Sequence, residues 1–221
     1  MAYFNNDYVK FFKELSANNN RDWFQANKKR YEKSVKDPFN SFVQEMIKEV
    51  KKVDPNVNME AKEAVFRINR DIRFSSDKTP YKTHMSALIS AGGKKDKSIP
   101  GLFMQLSAEG IQIYSGVHAP EKDALMKIRS KIVKEGAAFS KMINAKPFKA
   151  TFGSIMGDKN KRLPTKDLQA AAEKQPLVAN KDFLFGTKLP AKAITQNDLP
   201  GMIMKKYKDC APLRKFLTDA L

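Results

Sequence analysis

The hydrophobic period of this chain changes twice, and that pattern limits what it can fold into more than any other feature. Up to about residue 53, apolar side chains recur at helical spacing. They fall into three groups: Tyr8, Phe11, Phe12 and Leu15; Trp23, Phe24, Tyr31 and Val35; and Phe39, Phe42, Val43, Met46, Ile47 and Val50. Three helices are predicted. Asp7 is placed to cap the first, and Asn18-Asn19-Asn20 to end it. Asp37-Pro38 reads as an N-cap followed by a first-turn proline for the third, and Asp54-Pro55 as its stop.

From about residue 64 to 117 the period falls to two. Phe66, Ile68, Ile72 and Phe74 alternate with Arg67, Asn69, Asp71 and Arg73, which predicts an extended segment over 64–74. Strands over 85–91, 101–107 and 111–117 follow as antiparallel neighbours, joined by a polar loop at 92–98 and a tight turn at Ala108-Glu109-Gly110. After His118-Ala119-Pro120 the helical period returns with Leu125, Ile128 and Ile132, then a shorter helix at 137–145. Residues 146–196 are weakly periodic and read as loop with one helix near 166–173, and helices near 198–208 and 212–220 close the chain. Helices, then an antiparallel sheet, then helices predict an α+β fold, as one domain over 1–221.

A chain of 221 residues can bury a core without covalent staples. Its one cysteine, Cys210, excludes an intrachain disulfide and a cysteine metal cluster, which fits a reducing compartment. The start lacks the basic and apolar stretches of a signal peptide and no segment has the length of a membrane span, so a cytoplasmic protein without membrane contact is expected. The net charge of +17 attracts phosphates and nucleic acid. It is spread along the chain, however, and 33 of the 41 basic residues are lysine, as on many solvated surfaces.

One constellation is dense. Arg67, Arg70 and Arg73 fall within seven residues, and the polar run continues through Asp71, Ser75, Ser76, Asp77, Lys78, Tyr81 and Lys82. Arginine's planar fork suits bidentate binding of carboxylate or phosphate, and lysines and hydroxyls beside it add charge and donors. Arg67, Arg70, Arg73, Ser75, Lys78, Tyr81 and Lys82 are therefore candidate ligands for a small anion, with Asp71 or Asp77 as orienting group or acid/base. An Arg/Asp lattice that pins a long connection to the core uses the same residues, and both readings stand. The residues leave open whether such a site would also catalyse.

The run Arg67-x-x-Arg70-Asp71-x-Arg73-Phe74-Ser75-x-Asp77-Lys78-x-Pro80-Tyr81-Lys82 resembles the signature of the family called domain of unknown function 2461. Asn19-Asn20-Arg21-x-Trp23-Phe24 with Tyr31 is similar to that family's opening helices, and Gly110, Gly116 and Pro120 keep its glycine and proline pattern. Two places depart from it. His118 stands where an aromatic residue is expected, and Leu163-Pro164-Thr165-Lys166 lacks a glycine after its proline. The resemblance implies one complete family domain and brings no reaction, cofactor or partner with it.

Other chemistry finds little footing. His84 and His118 lack metal-ligand spacing, and hydrolase, nucleotide-triphosphate and dinucleotide motifs are missing. Trp23, Phe24 and Tyr31 could stack bases, but their spacing reads first as core, as do Met202 and Met204. The sequence thus implies no cofactor and no metal, sets no oligomeric state, and offers as partners a small anion or, alternatively, nucleic acid drawn to the basic surface.

Overall fold

The computed structural model describes residues 2–94, 96 and 98–221; of the expected 92–98 loop, Lys95 and Lys97 lie outside the described residues. Helix α1 spans Asn6–Ala17. Its cap is Asn5, not Asp7 as expected: the extended Asn5 backbone lets its side chain accept the Asp7 N–H. Asp7 lies inside the first turn and pairs with Arg30 at 2.7 Å. Asn20 caps α2 (Arg21–Ala26) by accepting the Trp23 N–H, and α3 (Lys28–Tyr31) follows.

The expected break at Asp37-Pro38 does not occur. A π turn over Glu32–Lys36 leads straight into α4 (Asp37–Lys51), with Lys36 and Asp37 both in helical conformation. Pro38 can neither donate a helical hydrogen bond nor sit easily against the carbonyl four residues back. The widened turn, in which the Asp37 N–H reaches Glu32 O, lets the helix pass through. A short helix, α5 (Ala61–Ala64), is closed by a reciprocal Glu60/Glu63 capping box.

Strands β1 (His84–Ile89), β2 (Leu102–Ser107), β3 (Gly110–Val117) and β4 (Phe183–Pro190) form one four-stranded antiparallel sheet in that spatial order. β4 lies in the stretch read as loop. Only its first half is buried, at Phe183 and Phe185, and the half from Gly186 faces outwards, so the period of two is too short to see. Gly116, at φ +104, makes the fit to β4: a Cβ there would overlap the Phe183 carbonyl oxygen. After β3 come α6 (Lys122–Lys134) and α7 (Gly136–Ile143), then α8 (Lys146–Phe152), which also falls in the stretch expected to be loop. Helix α9 (Lys166–Lys174) stands where expected, and α10 (Leu199–Asp209) and α11 (Ala211–Thr218) complete the α+β fold.

Contacts group the residues into two compact units. The first, Met1–Ile89 with Phe103–Ile113 and Lys188–Met204, has an aromatic core: Phe4 lies 5.4 Å from Phe42, and Phe11 5.7 Å from Tyr31. The second, Ser90–Leu102 with Tyr114–Thr187 and Lys205–Leu221, centres on Phe139 against Phe216 and on Phe148 and Phe152 against Phe185. No described helix is long and apolar enough to cross a membrane.

Candidate functional site

The arginine-rich run lies entirely in the first unit, on a two-stranded hairpin. Its stem is antiparallel: Asn69 bridges Tyr81, Val65 bridges Ala87, and Lys82 N–H and Arg70 N–H donate to Ile68 O and Pro80 O. Between those two bridges, residues 66–68 face residues 82–86, so the returning strand carries two extra residues. Such a bulge re-aims side chains. Tyr81 is buried, its ring stacked on Phe24 at 4.0 Å and its backbone held on both sides by the Asn19 amide. Its ring thus serves the core. Phe24 and Tyr31 are buried with it, which makes these two rings packing rather than a platform, while Trp23 is half-buried against Phe11.

Above the stem, residues 71–79 form the tip. The expected extended run stops at Ile72, because Ser75 N–H closes a turn on Ile72 O at 3.4 Å. Arg73 and Phe74 occupy the corner of that turn, so Phe74, placed by alternation beside Ile68, is instead 96% exposed while Ile68 is buried.

Internal hydrogen bonds staple the tip. Arg70 donates to Asp77 and to the Thr79 hydroxyl, and more weakly to Ser75 Oγ at 3.5 Å. Asp77 also accepts the Thr79 N–H at 2.9 Å and its hydroxyl at 2.8 Å. Arg73 forks onto Asp71, with Nε–Oδ1 at 2.9 Å and Nη2–Oδ2 at 2.7 Å. Lys78 Nζ donates to Ile72 O at 3.0 Å, and Lys82 Nζ to Arg67 O at 3.0 Å.

Both carboxylates are held down at about 2: Asp71 chiefly by the Arg73 side chain, Asp77 chiefly by the Thr79 N–H and then by Arg70. Burial lowers the Lys82 ammonium, and the neighbouring Arg67 charge lowers it further. His84, next but one along, is pushed down to about 4 by burial and then by Lys82. Arg67, Lys78 and Lys82 enter none of the ion pairs found among the described residues.

The other histidine sits in the second unit, where His118 Nδ1 lies 3.3 Å from Asp182 Oδ1. Asp182 also accepts the N–H of Ala119, whose φ is +46. Sequence spacing gave no hint of this pair, since its residues lie 64 apart on β3's exit and β4's approach. Surface depressions of about 350 and 230 Å³, lined respectively by Lys10, Lys13 and Lys192 and by Pro147, Phe148, Lys208 and Leu213, contain none of the motif. No group of three metal-ligating side chains occurs among the described residues.

These features define an α+β protein whose polar constellation is one stapled hairpin on the strand that opens its sheet. The family model described as a conserved hypothetical protein, DUF2461, matches residues 7–216, and the chain belongs to that family. The match runs through the C-terminal third despite the two local departures. No curated protein and no solved structure matches the chain.

Proposed function

We propose that the 65–87 hairpin binds a small anion through a phosphate or carboxylate group. The observation that carries this reading is the pair of cations at the stem, neither of which is in a direct ion pair. Lys82 is half-buried, the charge of exposed Arg67 beside it repels its ammonium, and neither has a carboxylate within 4 Å among the described residues. Across 67–82 five cations meet two carboxylates, and those two are already engaged. An anion resting between Arg67 and Lys82 would relieve that repulsion.

In this reading Arg67 and Lys82 hold the anion, with exposed Arg73 and Lys78 adding field, and Arg70, Ser75 and Asp77 brace the tip. Asp71 and Asp77 act as orienting groups. A carboxylate held near 2 is ionised and too weak a base to take a proton effectively at neutral pH.

Calorimetric titration with inorganic phosphate and with acetate tests it. One bound equivalent that survives moderate salt and is lost in the Arg67→Ala, Lys82→Ala double variant is expected. Unchanged binding in that variant, with the fold intact by circular dichroism, would refute the assignment.

A further inference from the structure

Resting on that anion site, we infer that its ligand is a nucleotide whose base stacks on Phe74. Phe74 is the one fully exposed aromatic ring among the described residues, at 96%, and it contributes nothing to the core. Its backbone lies in a hydrogen-bonded turn. It sits at the corner of the Ile72–Ser75 turn, the Ile72 carbonyl that closes the turn also anchors Lys78, and the preceding Arg73 is clamped by Asp71. The Arg73 guanidinium carbon lies 5.8 Å from the Phe74 ring centre.

A ring displayed on the tip that also carries Arg73 and Lys78, on a hairpin whose stem carries Arg67 and Lys82, offers an aromatic face and cations on one element. A flat π-system meets the aromatic face and a phosphate meets the cations, which is how proteins hold nucleotides without reading a base edge. A bare phosphate would leave Phe74 without a role. A lipid surface would need further exposed apolar side chains around it. Its chain neighbours are Arg73 and Ser75, with ionised Asp71 and Asp77 on the same tip.

The same chemistry is offered by a free nucleotide and by a single strand. The test therefore titrates the whole protein with adenosine monophosphate, ribose phosphate and a short oligoadenylate, for the wild type and for Phe74→Ala. An exposed corner residue leaves the melting temperature unchanged when truncated, which serves as the control.

Wild type is expected to bind adenosine monophosphate about tenfold more tightly than ribose phosphate, in keeping with one base–aromatic contact. Phe74→Ala is expected to remove that difference while leaving ribose phosphate binding unaltered. Equal binding of the two ligands by wild type would overturn the stacking and leave the anion site standing; binding of neither would overturn both. Oligoadenylate held more tightly than the mononucleotide, with the gain lost in Phe74→Ala, assigns the base to a strand, and equal affinities assign it to a free nucleotide.

Discussion

At the scale of single residues, the decisive fact about the motif is which arginine faces inwards. Arg70 is occupied by Asp77, Thr79 and Ser75, whereas Arg67 has none of these partners. Arg70→Ala is therefore expected to loosen the tip, with faster hydrogen exchange at the Ser75 and Thr79 amides and only a partial loss of anion affinity. Complete loss of affinity with unchanged exchange would move Arg70 from brace to ligand. The cluster itself was legible in the sequence. Its division of labour was not, because that depends on a turn at 72–75 which alternation gives no reason to expect. His84 carries a second prediction. Its imidazole is held at about 4 by burial and by Lys82, against about 6.5 in an unfolded chain. Between those values the unfolded state binds the proton and the folded state does not, so stability falls as pH drops from about 6.5 towards about 4. The folded protein should lose about 1–2 kcal/mol across that window, less than the full shift implies because part of the ring reaches solvent. Urea midpoints for wild type and His84→Gln at pH 7 and pH 4.5 would show it, with the smaller decline in the variant.

Secondary-structure elements were legible wherever one face is buried along their whole length. α4 buries Phe39, Phe42, Val43, Met46, Ile47 and Val50, and the sequence located it to within a turn. The break expected before it is absent because Asp-Pro is a start signal in isolation, while here a π turn carries the helix through the proline. β4 escaped because its period survives for only three residues, Phe183 to Phe185, before the strand emerges into solvent. α8 is short and buries just Phe148 and Phe152, one turn apart. What holds β4 in place is written in another strand. Gly116 of β3 has φ +104 and leaves room for the Phe183 carbonyl, so Gly116→Ala would both strain the backbone and push the two strands apart. A loss of roughly 3 kcal/mol or more is expected, read as a lower urea midpoint. A near-neutral result would mean that β4 can shift without cost to the sheet.

For the molecule as a whole, two kinds of electrostatics must be separated. The net charge of +17 is a long-range field carried mostly by lysines spread over the sequence, and it attracts any polyanion. The hairpin instead places an excess of three positive charges within sixteen residues, with the Lys82 ammonium partly withdrawn from water. Screening treats the two differently, since exposed charges lose their reach beyond about 8 Å at physiological ionic strength and partly buried ones do not. The protein should therefore bind unrelated oligonucleotides at low salt, with affinity falling steeply as counterions compete, and with small equal losses for lysine-to-glutamine changes anywhere on the surface. Binding at the hairpin should fall much less over the same salt range and should depend on Arg67 and Lys82. Filter binding of a random oligonucleotide from 50 to about 300 mM salt, beside phosphate calorimetry over the same range, distinguishes them. If oligonucleotide affinity persists at the upper end and still requires Arg67 and Lys82, the hairpin is the contact and nucleic acid is its partner. If it vanishes while phosphate binding remains, the surface charge acts only as a diffuse attractor and the specificity lies in the hairpin alone.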